Sequence, residues 1–221
     1  MQRSLVGSEM CIRDRLKDYI RSGDVYIANM TQRFYCHNEE DSFTTYKKLR
    51  KINKAPFSAY LNFNDFQIIS SSPERFIQIK ERIAHTRPIK GTRPRGSSAE
   101  EDERNKLELI NSEKDKAELL MIVDLERNDF SKVCKAGTVK VKELFALEEY
   151  ATVFHLVSTI EGELEDNISA VKVMEECFPG GSITGAPKIR AMEIIEELEG
   201  LKRNIYTCLL YTSPSPRDYA A

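Results

Sequence analysis

The segment Thr86–Gly96, TRPIKGTRPRG, sets Lys90 among Arg87, Arg93 and Arg95, with Pro88 and Pro94 stiffening the backbone and Gly91 allowing close approach of a ligand. A lysine amine is a nucleophile only when neutral, and its ordinary pKa of about 10.4 leaves it almost wholly ammonium near pH 7. Fixed cations and partial desolvation lower that pKa, which is how amine nucleophiles are activated. The neighbouring arginines are the cations this segment offers, and their planar forks suit an anionic substrate. A solvated basic loop is the alternative reading of the same residues.

Four further features have chemistry to offer. FPGGSITGAPK (Phe178–Lys188) is a glycine-rich turn entering a helix with Pro187 near its start. Exposed N–H groups and the helix dipole there suit a carboxylate or phosphate, but no Gly-Lys-Ser/Thr follows, so it is not a Walker loop. Glu118 precedes Leu119, Leu120 and Met121 on an apolar helix, a costly place for a charge unless a cation such as magnesium compensates. His155 lies in the apolar strand TVFHLVS, either as a satisfied core histidine or as an acid or hydrogen-bond donor. Glu74, in SSPERF, stands between a proline turn and an arginine, where a paired structural glutamate is the plain reading.

The whole chain bounds these options. Its 221 residues suit one domain or a little more; 41% hydrophobic content allows a core and 31% charged residues a soluble surface. A formal charge of −2 points to neither nucleic acid nor membrane, and no apolar run approaches the ~20 residues of a membrane span, so the cytoplasm is the expected location. Five widely spaced cysteines show neither a disulfide framework nor paired metal-ligand spacing.

The two ends carry an unusual relation. LVGSEMCIRD (Leu5–Asp14) and LLYTSPSPR (Leu209–Arg217) can be encoded by complementary strands of one oligonucleotide, as in a transposon-type sequencing-library adapter. The expectation is that 1–15 and 208–221 are adapter-derived and that a partial catalytic domain occupies 16–207. Cys11 and Cys208 then drop out, leaving Cys36, Cys134 and Cys177 as reduced thiols.

Elements that must position these residues follow from periodicity. A short helix ends near Ser22–Gly23 and a β-rich run covers Val25–Tyr35. Phe43, Tyr46, Leu49 and Ile52 mark an amphipathic helix, and Pro56–Pro88 alternates as an antiparallel meander turning at Asn64–Asp65 and Lys80–Glu81. Ala99–Cys134 is helical with a break at Asn111–Ser112, where Ser112 and Asp115 form a capping start. Strands return over Gly137–Leu164, followed by a short helix, the glycine-rich turn and a helix ended by Gly200. Strand pairs before and between blocks of helix predict an α+β fold rather than a doubly wound parallel sheet.

Taken together, SPERF, TRPIKGTRPRG, SEKDKAELLMIVDLERND, GTVKVKELF, FHLVSTI and FPGGSITGAPKIRAMEIIEELE resemble the chorismate-binding enzymes, with the motifs in family order and spacing. The resemblance implies two antiparallel sheets sandwiched together with outer helices, incomplete here because the family continues past RNIYT and begins earlier. It implies amination of chorismate at C4, with magnesium required and ammonia supplied by a glutamine amidotransferase partner. Lys90 would attack the ring at C2 as the C4 hydroxyl leaves, Glu74 would be the acid/base group, and His155 would assist loss of the hydroxyl. Glu118 would bind magnesium, and Gly91, Thr92 and the turn Ser182–Thr184 would line the substrate pocket. Pro56, Phe57 and Ser58 match a segment that touches a bound tryptophan in some members.

Lys90 separates the branches of the family, because members that aminate C2, yielding anthranilate, read PIAGT and need no covalent placeholder there. Members that activate water use a lysine at the position of Ile27 here. Ile27 and Leu119 depart from the amination pattern, which carries glutamine and asparagine at those places. Three readings therefore stand: C4 amination, with little turnover by this chain alone; C2 amination; and a non-catalytic anion- or nucleic-acid-binding module. The last has its basic residues in one segment without interleaved aromatics.

Overall fold

The structure, a computed structural model, describes residues 6–206. The chain runs α1 (Val6–Arg21), β1 (Ile27–Ala28), α2 (Ser42–Ile52), β2 (Phe57–Asn62), β3 (Gln67–Ser72), β4 (Arg75–Lys80), β5 (Ile83–Arg87), β6 (Ile89–Pro94), α3 (Ala99–Asn111) and α4 (Glu113–Ser131). It continues through β7 (Lys140–Glu149), β8 (Val153–Glu163), α5 (Ala170–Cys177), a 3₁₀ turn (Gly181–Ile183), β9 (Gly185–Ala186) and α6 (Lys188–Glu199). All pairings between these strands are antiparallel, in the α+β class expected. Helix α1 runs across the boundary placed at Arg15, and the segment 208–221 lies outside the described residues.

The organising strand is β8. Phe154, Leu156, Ser158 and Ile160 are buried on one face, while on the other His155, Thr159 and Glu161 remain partly exposed and only Val157 is covered, close to the period of two of a sheet with one solvated face. Against the buried face packs α4, whose Leu119, Val123 and Phe130 share a core with Phe154, Leu156 and Ile160. Along one edge of β8 lie β5, opposite Ile160–Glu163, and β6, opposite Val153–Val157; β7 takes the other edge. Pro88 separates β5 from β6: it has no N–H to give, and its carbonyl accepts instead from the Ser158 amide at 3.2 Å.

Two expectations are corrected. The meander is two separate hairpins, β2–β3 closing between Phe63 and Phe66 and β4–β5 closing at Glu81–Arg82, with only the second joined to the five-stranded sheet. Pro73 falls at the junction, where a residue without a donor ends the ladder. The β-rich run Val25–Tyr35 forms a strand only at Ile27–Ala28, because its partner β9 is itself two residues long. The amphipathic helix α2 forms as read: Phe43 and Tyr46 pack on Tyr60 of β2 at 5.1 and 5.7 Å between ring centres. Ser112 also caps α4 as read, accepting from the Asp115 amide at 3.2 Å, and Gly200 closes α6 in the left-handed conformation at φ 62°.

A buried ion pair fixes α6 to α4. Lys188 Nζ donates to Asp129 Oδ2 at 2.8 Å and to the Cys177 carbonyl at 2.9 Å, while Lys132 holds Asp129 Oδ1 at 3.0 Å. Removing one partner of a buried pair strands the other charge. Lys188→Met is therefore expected to cost about 3 kcal/mol, the low end of that class because Lys132 remains; the urea midpoint of the variant measures it. Cys134 and Cys177 are core thiols, pushed up by burial to about 11 and about 12, and are inert there. Cys36 is exposed, and Cys208 lies outside the described residues. No described helix is long and apolar enough to cross a membrane.

Candidate active site

The site begins with a bulge in β6. Lys90 stands opposite Leu156 and Thr92 opposite His155, so Gly91 is an extra residue on its strand. Its φ of 78° is left-handed, and a Cβ added to it would lie 2.8 Å from Leu109 Cδ1 and 2.9 Å from Asp115 Cβ. Gly91 thus brings β6 against α3 and α4 where no side chain fits. Gly91→Ala is expected to destabilise the fold by roughly 2 kcal/mol or more from backbone strain and overlap together, read as a fall in the urea midpoint.

Lys90 and Glu74 meet on one residue of the glycine-rich turn. Ser182 accepts from Lys90 Nζ through its carbonyl at 3.1 Å, and its hydroxyl donates to Glu74 Oε1 at 2.6 Å. The Ile89 amide, next to Lys90, donates to the same Glu74 oxygen at 3.1 Å. Burial raises the Glu74 pKa above the ordinary carboxylate value, against the lowering effect of Ser182, Ile89 and Lys90. The result is a carboxyl poised nearer neutrality beside a primary amine. Asn29 Nδ2 also donates to the Ser182 carbonyl, at 2.8 Å, tying the turn to the segment after β1.

One step along β6, Thr92 Oγ1 lies 2.9 Å from His155 Nδ1, and the ring also bonds the Gly91 backbone. Desolvation lowers the His155 pKa, outweighing nearby Glu148, so the imidazole is neutral at pH 7. The Tyr150 ring meets it edge-on at 5.5 Å. The bulge therefore joins Glu74–Ser182–Lys90 and Gly91–Thr92–His155 into one contiguous constellation.

The arginines do something other than crowd Lys90. Arg87 bonds Thr159 at 3.0 Å and pairs with Glu148 at 2.5 Å; Arg93 pairs with Glu108 at 2.8 Å and Asp115 at 3.1 Å; Arg95 holds Asp102 and lies 4.6 Å over the Phe154 ring. Each is spent on carboxylates of α3, α4 or β7, because the segment is two strands flanked by acidic elements rather than a loop. The basic-loop reading fails for the same reason. Other sequence-named residues lie as follows. Thr184 is buried, and its hydroxyl donates to the Gly180 carbonyl at 3.0 Å, bracing the turn from within. Pro56 precedes β2, and Phe57 and Ser58 begin it, in the separate hairpin; the Arg75 guanidinium sits 5.5 Å from the Phe57 ring.

Glu118 lies one helical turn beyond Asp115, the residue under Gly91, and is loosely paired with Lys114 at 3.8 Å. Among the described residues no group of three or more His, Cys, Asp or Glu side chains gathers to hold a metal. Magnesium, however, takes one or two carboxylates and completes its shell with water and substrate oxygens, and a partly exposed, loosely paired Glu118 fits that donor set. Sequence reasoning missed Glu126, a buried carboxyl whose Oε2 lies 2.9 Å from Thr86 Oγ1. Its only signal was a glutamate in register with Leu119, Ile122 and Phe130 on the buried side of α4.

The profile of the chorismate binding enzyme family matches residues 12–216. Aminodeoxychorismate synthase component 1 of Bacillus subtilis is 49% identical over 194 residues, covering 88% of this chain and 41% of that protein. The Escherichia coli protein of the same name is 49% identical over 192 residues, covering 87% and 42%. Anthranilate synthase component 1 of Synechocystis sp. is 46% identical over 196 residues, covering 86% and 39%. The crystal structure of anthranilate synthase component I from Streptococcus pneumoniae superimposes with a TM-score of 0.80 at 34% identity, over 89% of this chain and 43% of that one. The chain spans about two-fifths of the length of these relatives. With a profile matched along nearly its whole length and a fold that superimposes over 89% of the chain, the chain belongs to the chorismate binding enzyme family.

Proposed function

We propose that this chain is the lysine-bearing part of an aminodeoxychorismate synthase component 1, converting chorismate and ammonia to 4-amino-4-deoxychorismate and water. The observation that carries the reading is the double contact of Ser182, which sets a primary amine and a raised-pKa carboxyl on one residue. The names of the relatives at 49% identity support it.

In this reading Glu74 takes the proton Lys90 must lose, and Lys90 Nζ bonds to C2 of the ring. The ring electrons shift toward C4, the C4–O bond breaks, and Glu74 returns the proton so that water departs. His155, neutral and anchored by Thr92, would assist loss of the hydroxyl from C4. Ammonia then bonds to C4, the electrons shift back and the C2–N bond breaks; Lys90 leaves as the neutral amine and takes up the surplus proton of the new C4 ammonium, which restores its starting form. Glu118 would hold magnesium, which supplies neutralisation of a substrate carboxylate when bound. A glutamine amidotransferase would supply the ammonia, in the cytoplasm.

A chimera tests the proposal: the matched segment of this chain replaces its counterpart in the full-length B. subtilis relative. Incubation with chorismate, magnesium and ammonium is expected to yield 4-amino-4-deoxychorismate. Anthranilate with pyruvate as the product would overturn the reading in favour of C2 amination.

A further inference from the structure

Beneath the turn that joins Lys90 to Glu74 lies a second carboxyl that the reaction above does not use. Glu126, on α4, is buried, and a Cβ on Gly181 would come 3.6 Å from its Cγ, so it packs against the turn one residue before Ser182. Its Oε2 is 2.9 Å from Thr86 Oγ1, and that hydroxyl is also 2.8 Å from the Phe76 carbonyl. A hydroxyl has one proton and the carbonyl has none to give. If Thr86 donates to Phe76, the bond to Glu126 forms only when Glu126 carries a proton of its own. Glu74 is the opposite case, since Oε1 receives two donors, the Ser182 hydroxyl and the Ile89 amide.

We propose that Glu126 is a positioning residue, a neutral buried acid that donates to Thr86 and so leaves the pair's single negative charge on Glu74. This rests on the reading of Glu74 as the acid/base group. The surrounding charges agree. Glu74 faces Glu126 from the loop before β4, Asp129 from its own helix, and Lys188 from α6; Lys188 is committed to Asp129, together with Lys132. Burial first, then the charge of Glu74, push Glu126 up to about 8. Ionising Glu126 would place a second negative charge under Glu74, hold a proton there, and repel a substrate that is itself an anion.

Carboxyl carbon-13 NMR of the chain labelled at glutamate tests this, with Glu126→Gln and Glu74→Gln assigning the two resonances. One glutamate is expected to titrate near pH 8 and to vanish in Glu126→Gln. Absence of any glutamate titrating above pH 7 in the wild-type chain overturns the proposal, whether or not the variant folds. Glutamine mimics a neutral acid, so Glu74 should titrate at the same pH in Glu126→Gln as in wild type. A fall of one pH unit or more would mean that Glu126 was already charged, and would also overturn it. In the chimera, chorismate affinity is expected to fall about tenfold between pH 7 and 9 and to stay level in Glu126→Gln; equal falls in both would remove the positioning role. Failure of chorismate to bind either form would count against the proposed function, leaving the carboxyl titrations to decide Glu126.

Discussion

In the chimera with the B. subtilis relative, Lys90→Ala is expected to abolish the covalent adduct with chorismate, seen as loss of an intact-mass increase, and to lower C4 amination by ~10³-fold or more. In the proposed reaction the amine is the group that bonds to the ring: Nζ rests on the Ser182 carbonyl, and the Ser182 hydroxyl holds the carboxyl proposed to take its proton. Lys90→Arg should fail as completely, because a guanidinium keeps the charge but is not a nucleophile. That comparison separates covalent chemistry from simple attraction of an anionic substrate. Amination within tenfold of wild type in Lys90→Ala would remove the lysine from the reaction.

Glu74→Gln should lower amination by about 10²–10⁴-fold, the range for a positioned acid/base group. The fold should survive, since a glutamine oxygen can still accept from Ser182 and Ile89. The pH profile carries the sign. Burial raises the Glu74 pKa above its ordinary 4.5, so the carboxylate proposed to accept the proton of Lys90 is lost as pH falls through that raised value. Wild-type activity is expected to decline on an acid limb lying above pH 4.5, and the residual activity of Glu74→Gln should lack that limb. An unchanged limb in the variant would assign it to another group.

Much of the molecule was legible because its signals are local. The capping of α4 by Ser112 and the stop of α6 at Gly200 each rest on a few neighbouring residues. The failures are non-local. Val25–Tyr35 has strand composition but finds only two residues to pair with. Residues 56–88 alternate throughout, yet Pro73 splits them between sheets, and no periodicity reports which strand a neighbour will choose.

The candidate site divides along the same line. Residue types and their order singled out Lys90, Glu74 and His155 as candidates for one reaction centre, since chemistry depends on which groups are present and the family's motifs span the whole segment. Only the tertiary structure decided what each group faces. Ser182, 92 residues beyond Lys90, holds amine and carboxyl together, the arginines turn away to α3, α4 and β7, and Glu126 comes to lie against the turn at Gly181. Such placements come from packing and from satisfying buried polar groups, which bring together residues remote in sequence.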